Sequence, residues 1–370
     1  MRVLHLCAGN LYGGVERIVA ECAADRALSP RMAPTFAVCF EGRLAGEIDA
    51  SGAPCARLGP ARLRRPWTIL RARRRLAKLL REGPPPVVIC HSSWMLGLAA
   101  PVVRKARGTL VLWVHDRVSR ASWPERWAAR TRPETIIANS RFTGESVIAL
   151  YPGASHAVVY APVRADLSGP SRASLRESMG VHQQTPVILV ASRFEQWKGH
   201  RPLVAALAGI AEPWQLWIAG GPQRRDEAAH ERDLRHYVGA SGAGDRVRFL
   251  GERRDIGACM RAADIHCQPN TAAEPFGLAF VEALYAGIPV VTTALGGALE
   301  IVTDACGVLV APGDTAGLRR ALRTLVMDQA ARQRLGSGGP SRARELCDPG
   351  RQLAALADVV CAADANRVSS

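Results

Sequence analysis

The sequence predicts an α/β protein of two doubly wound, Rossmann-like domains facing each other across a cleft. Three observations predict it. The chain has 370 residues, long for one domain and enough for two that each bury a core. Short apolar runs alternate with helical stretches in both halves, the signature of βαβ units on a parallel sheet. The rhythm breaks once, at APVRADLSGPSRASLRESMGVHQQT (161–185), where Pro162, Gly169 and Pro170 mark a linker.

In the first domain, taken as 1–165, strands are expected at 2–7, 35–40, 87–90, 109–114, 134–138 and 156–160. Helices are expected near 14–28, 67–82, 94–106, 123–131 and 140–150. The second domain, 166–350, should hold strands at 186–192, 214–219, 246–250, 264–268, 289–293 and 307–310. Helices fill its gaps, and three more run from 315 to 361. In the last segment, 351–370, a helix returns to the first domain and the tail from 362 frays. Open α/β sheets bind ligands beyond the carboxyl ends of their strands, so both domains should offer loops to the cleft.

Composition narrows the class. With 48% hydrophobic and 22% charged residues, the chain is globular and leaves little room for long disorder. No run approaches the roughly 18 apolar residues that span a bilayer. The start, MRVLHLC, reads as a first strand and not as a signal peptide. These features predict a cytoplasmic protein, or one on the inner face of the cell membrane. The ten cysteines form no C-x-x-C pair, so no zinc site is expected and reduced, buried thiols are.

The net charge of +15 is unevenly spread. Residues 1–165 hold 25 Lys and Arg against 11 Asp and Glu, and the remainder holds 23 against 22. The first half should therefore meet something anionic. Nine of its cations fall in Arg62–Arg81, interleaved with Trp67, Leu70, Leu76, Leu79 and Leu80. Such a segment suits a basic helix on an anionic membrane surface, or a solvated helix face that covers the sheet. No aromatic-rich RNA-binding signature or zinc-finger spacing accompanies it, and no nucleic-acid partner is expected.

Four motifs can carry chemistry. Glu274-Pro-Phe-Gly-Leu-Ala-Phe-Val-Glu282 places Pro275 where a first helical turn tolerates it. The backbone N–H groups of Phe276, Gly277 and Leu278 would then form an anion site at the helix start. Glu282, further in, could accept from both hydroxyls of a ribose, and Glu274, in the loop, from those of a sugar. Two acids at a helix start are equally what ordinary capping produces. Next, Arg193 and Lys198, five apart at a strand–loop–helix junction, suit a diphosphate. Only three residues are Lys, at 78, 105 and 198, against 45 Arg, so a Lys here suggests that a compact ammonium was needed. Third, Gly13-Gly14 after the first strand suits either close approach to a ligand or a plain tight turn. Fourth, His115, followed by Asp116, ends strand 109–114 at the functional edge of the sheet.

Together these segments resemble the retaining glycosyltransferases of the GT4 type, with the GT-B fold. The matching runs are Gly13-Gly14 with Glu16, His115-Asp116, IIANSRFT (136–143), SRFEQWKG (192–199), IAGGP (218–222), FLGERRDI (249–256), AADIHCQPN (262–270), EPFGLAFVEALYAGIPVV (274–291) and GGALEIV (296–302). The resemblance implies that Arg193 and Lys198 bind the donor diphosphate, with Gly14 near it, and that Glu282 holds the ribose. Glu274, with the backbone of Phe276, Gly277 and Leu278, would hold the transferred sugar and phosphate, and His115 would lie near the sugar's reactive face. Family members typically transfer a sugar from UDP or GDP with retention and without a required metal. The donor is then a substrate, and no cofactor or metal is expected.

Glu274 being committed to hydroxyls, front-face attack is favoured over a covalent intermediate. The expected partners are a nucleotide-sugar donor, a glycan or lipid-linked acceptor, and an anionic membrane for 62–81. Two other readings stay open: an epimerase acting on a sugar nucleotide, and a non-catalytic basic scaffold at a membrane.

Overall fold

The computed structural model describes residues 1–83, 86–166 and 168–369. The chain divides into two compact units, Met1–Val163 with Cys347–Ser370, and Arg164–Leu346.

The first unit is a seven-stranded sheet of β1 (Arg2–Cys7), β2 (Ala33–Val38), β3 (Cys55–Arg57), β4 (Val87–Cys90), β5 (Thr109–Val114), β6 (Thr135–Ala138) and β7 (Ala157–Val158). Their order is β3-β2-β1-β4-β5-β6-β7, and the pairs are parallel. Every residue of β4 and β5 is buried, because a parallel sheet is covered on both faces. Leu4, Leu6, Val88, Cys90, Leu110 and Leu112 alternate onto one face, in a core shared with Met95, Leu96 and Val103 of the helix Ser93–Lys105. Two elements have no counterpart in the sequence pattern: β3, too short to display a period, and the helix Arg43–Ala50, which starts at Gly42.

The helix Pro349–Ser369 belongs to this first unit. Val163 N–H bonds the Cys347 carbonyl at 2.9 Å, and Arg31 pairs with Asp358 at 2.7 Å. The segment from 362, expected to fray, is helical through Ser369. Thr109 Oγ1 donates to Asp364 at 2.6 Å, and Arg367 Nε donates to Thr109 Oγ1 at 2.7 Å. These bonds hold the last turns, and the helix continues to Ser369.

The second unit is a six-stranded sheet of β8 (Val187–Ala191), β9 (Gln215–Ala219), β10 (Val247–Gly251), β11 (Ile265–Gln268), β12 (Val290–Thr293) and β13 (Gly307–Val310), in the order β10-β9-β8-β11-β12-β13. Each strand lies within about one residue of its expected place, since near-continuous apolar runs mark buried parallel strands. The expected linker is different. Its second half contains the helix Arg172–Ser178, capped by Ser171. Arg176 is fully buried, bonding Asp264 at 3.1 Å and the Gln183 carbonyl at 3.2 Å. A buried guanidinium must be paired, and these pairs fix the segment into the second unit.

In each sheet the strand order reverses once, between β1 and β4 and between β8 and β11. Such a switch point is where an open α/β sheet presents its loops to ligands. Among the described residues, no helix is long and apolar enough to cross a membrane.

Candidate active site

The loops after β8 and β11 flank the switch point of the second unit. Gly199 brings them together. Its φ of 76° is left-handed, and a Cβ there would overlap the Pro269 carbonyl oxygen, so only glycine permits the approach. Thr271 N–H completes the join by bonding the Trp197 carbonyl at 2.8 Å. Lys198 is thereby delivered to Glu274, with Nζ 2.8 Å from Oε2 and 3.9 Å from the centre of the Trp197 ring. The same carboxylate oxygen accepts from Gln268 Nε2 and Asn270 Nδ2, each at 3.1 Å. Three donors thus converge on one oxygen of a side chain that is only 10% exposed. Among the described residues, nothing bonds Glu274 Oε1.

Arg193 is paired rather than open. Its Nη1 donates to Glu227 at 2.8 Å and its Nη2 to Glu195 at 2.7 Å. Glu227 is buried and also accepts the Gln223 N–H at 2.8 Å. An incoming anion could bond the N–H groups that Arg193 and Lys198 do not spend on these carboxylates.

The helix after Glu274 begins later than its sequence suggests. It spans Leu278–Tyr285, with Gly277 as its N-cap at φ 112°. Pro275 lies in the loop and not in the first turn. The reason is local: the left-handed Gly277, where a Cβ would overlap the Phe280 ring, reverses the chain before the helix can start. The first N–H groups without an intrahelical acceptor are then those of Leu278 and Ala279, while Phe276 and Gly277 precede them. Gly296 and Gly297 support this loop, for the Gly297 N–H bonds the Glu274 carbonyl at 2.7 Å and a Cβ on Gly296 would overlap it. Glu282 is half-buried, one turn beyond Leu278.

In the first unit, His115 directly follows β5 and is joined to two other histidines. His91 Nδ1 lies 3.0 Å from His115 Nε2, and His5 Nδ1 lies 3.0 Å from His91 Nε2. Burial pushes His5 and His115 down to about 3 and His91 well below its ordinary value, so all three rings are neutral. Gly13 and Gly14 do not make the tight turn. The left-handed residue of the β1 loop is Gly9, at φ 74°, whereas Gly13 is extended. The Gly13 N–H bonds the carboxylate of Glu16 at 3.0 Å. The acid three residues on satisfies the donor that a phosphate would otherwise take.

The model of glycosyl transferases group 1 matches residues 171–342, and that of glycosyltransferase family 4 matches 12–167. A 2-deoxystreptamine glucosyltransferase of Streptomyces kanamyceticus is 31% identical over 290 residues, which are 68% of this chain and 71% of that protein. This chain belongs to the family 4, group 1 glycosyltransferases. A D-inositol 3-phosphate glycosyltransferase of Xylanimonas cellulosilytica is 33% identical over 225 residues, 57% of this chain and 53% of that one, so the chain spans about half the length of this curated relative. Among solved structures, HepE of Anabaena in complex with UDP-glucose superposes with a TM-score of 0.86 at 25% identity, covering 98% of this chain and all of that one. The two-sheet architecture is GT-B.

Four further residues of the site escape the sequence. Gln268 and Asn270 sit in a quoted run, CQPN, whose amides gave no hint of aim. Glu227 has no local signal. His91 had one, since CHSS after β4 repeats the placement of VHD after β5. Finally, the Arg62–Arg81 run has two faces. Ala72, Leu76 and Leu80 of the helix Pro66–Leu80 are buried in the first core, while Trp67 and Leu70 remain 64% and 52% exposed. Leu63, Ile69, Leu70, Trp123 and Trp127 line a groove of about 480 Å³ with Arg73, Arg126 and Arg130 on it.

Proposed function

We propose that this protein is a retaining, metal-independent hexosyltransferase that moves a sugar from a nucleoside diphosphate, UDP in preference to GDP, to a lipid-linked or cell-surface glycan precursor. The Lys198–Glu274 pair carries the reading. A carboxylate locked by three donors on one oxygen presents its other oxygen as a fixed acceptor for a sugar hydroxyl. The ammonium beside it, the Arg193 fork and the N–H groups of Leu278 and Ala279 supply positive potential for a diphosphate. Glu282, one turn into the helix, binds the ribose. The complex of HepE with UDP-glucose supports the choice of uridine.

In the reaction, the bond between the anomeric carbon and the diphosphate oxygen breaks. The acceptor oxygen bonds the same face of that carbon, and its proton passes to the departing phosphate oxygen. Charge gathers on the leaving diphosphate, where Arg193 and Lys198 stabilise it without a divalent ion. His115 offers a neutral ring to a substrate hydroxyl, and Gly13-Gly14 lies near the diphosphate. The groove of Leu70, Trp123 and Trp127, with its arginines and the exposed Trp67 of the helix Pro66–Leu80, rests on an anionic leaflet at the inner face of the cell membrane.

Thermal-shift measurements with UDP- and GDP-sugars test the donor. A ligand at a hundred times its Kd should stabilise the protein by about 2.7 kcal/mol, and a null result with every nucleotide sugar would sink the proposal. Glu282→Ala should chiefly weaken donor affinity and Glu274→Ala chiefly lower turnover. Turnover lost to EDTA and restored by a divalent ion would remove metal independence.

A further inference from the structure

The three histidines of the first unit form one chain that climbs the sheet. His5 pairs with Phe36 on β2 and with Ile89 on β4, so His91, two residues past Ile89, shares its face. The register of β4 on β5 sets Cys90 opposite Leu112. His91 therefore stands level with Trp113, and His115 lies two residues beyond. Each step crosses one strand and advances two residues toward the carboxyl edge. The rings stack as they go. Phe36 to His5 is 5.0 Å between centroids, His5 to His91 is 5.3 Å, and His91 to His115 is 5.2 Å. Trp113 stacks on His115 at 5.2 Å from the same side of the sheet.

Neutral imidazole carries one N–H and one acceptor nitrogen. Three such rings in series have only two consistent arrangements. In one, His5 Nδ1–H donates to His91 Nε2 and His91 Nδ1–H donates to His115 Nε2, which leaves the proton of His115 on Nδ1. In the other, every donor is reversed, and Nδ1 of His115 is a lone-pair acceptor. Any mixed state sets two N–H groups or two lone pairs face to face. The end of the chain is the informative atom. His115 Nδ1 is buried and has no partner among the described residues, and an unpaired polar nitrogen in a buried setting needs an explanation.

We propose that His91 and His5 are positioning residues that tie the proton of His115 to the same nitrogen as their own, so that Nδ1 of His115 meets the substrate as donor or acceptor only in step with both partners. This rests on the reading that His115 faces a substrate hydroxyl. The chain serves that role in two ways. It polarises the terminal nitrogen through two aligned hydrogen bonds. It also keeps the ring uncharged, because protonating one member would put a cation between buried neutral rings. A neutral ring can bond a sugar hydroxyl without placing positive charge beside an anomeric carbon that is becoming electron-poor.

The test is long-range proton–nitrogen correlation NMR on the full chain with 15N-histidine. His115 should share its tautomer with His91 and His5 in the wild type, Nδ1–H throughout or Nε2–H throughout. In His91→Phe, which keeps a stacked ring but removes both links, it should become a mixture, with kcat lowered about tenfold to hundredfold and the donor KM little changed. His5→Phe, remote from the substrate, should disturb the same signals more weakly and serves as the second variant if His91→Phe fails to fold. An unchanged tautomer in the folded variants would overturn the proposal. Full turnover in His115→Ala would instead overturn the role of His115 in catalysis, and the NMR result would be unaffected by it.

Discussion

At their switch points the two units hold polar groups of opposite kinds. The second unit gathers charges and pairs them, Lys198 with Glu274 and Arg193 with Glu195 and Glu227. The first unit gathers neutral rings and links them to each other. Yet it is the first unit that carries the net charge, with 26 basic against 14 acidic residues, compared with 22 against 19 in the second. Nine of those cations fall in Arg62–Arg81. The contrast suggests a division of chemistry. On the proposed function, the site that holds the diphosphate keeps its cations paired with carboxylates. A site that must approach a reacting sugar keeps its groups uncharged.

The largest expected effect breaks the second-unit pair. Lys198→Met should lower turnover by about 10²–10³-fold, the usual cost of losing a group that stabilises developing charge. It also leaves the Glu274 carboxylate buried without its cation, which costs about 3–5 kcal/mol. Lys198→Met with Glu274→Gln removes that stranded charge. The double variant should recover most of the melting temperature and none of the activity. Recovered activity would mean that the pair is structural only.

Next in size is a contrast between two glycines. Gly199→Ala puts a side chain at a left-handed φ and against the Pro269 carbonyl. It should destabilise the protein by about 2–4 kcal/mol, measurable by denaturant unfolding. Gly13→Ala, at an extended φ with its nearest neighbour 3.7 Å away, should fall within about 0.5 kcal/mol of wild type. A comparable loss from both would show that the first-unit loop is tighter than its geometry indicates.

The same contrast explains what could be read from the sequence. The second-unit site is made of contiguous loops, 192–199 and 268–278, and the placement of Arg193, Lys198 and Glu274 follows from the strands before them. What escaped was aim: which oxygen Gln268 and Asn270 would address, and that a left-handed Gly277 would delay the helix past Pro275. The first-unit chain joins residues 86 and 24 positions apart. Only strand order and register bring them together, and neither is visible in a single sequence. His115 was legible alone, because it ends a strand. His91 follows a strand in the same way, but nothing in the sequence joined it to His115, and His5 lies inside β1.

Protonation should separate the units more gently. The ordinary histidine value of 6.5 is lowered to about 3 for His5 and His115, and also for His200 and His266 in the second unit. The unfolded chain therefore binds more protons than the native one between those values. Stability from these rings is fully present above pH 6.5 and is lost as pH falls toward 3. Each ring contributes on the order of 1 kcal/mol per pH unit in that window. The melting temperature should drop steadily from pH 7 to 4, and His91→Phe should make the slope shallower. An unchanged slope would indicate that the first-unit rings already carry charge in the native state.

The smallest expected effect on the fold falls where the first unit is most unlike the second. Trp67 and Leu70 are largely exposed, and Leu70 lines the groove of Trp123, Trp127 and their arginines. Replacing both with Ser removes no core contact of Ala72, Leu76 or Leu80, so stability should stay within about 0.5 kcal/mol. Turnover on a water-soluble acceptor should stay as well. Sedimentation with vesicles containing anionic lipid should fall sharply, because the apolar side chains that enter the headgroup boundary are gone while the cations remain. Raising the salt should weaken wild-type binding in parallel, through screening of those cations. If the double variant sediments as the wild type does, the exposed apolar residues play no part at the membrane, and charge alone accounts for the first unit's attraction to it. If the wild type does not sediment at low salt, the membrane reading of the basic face fails.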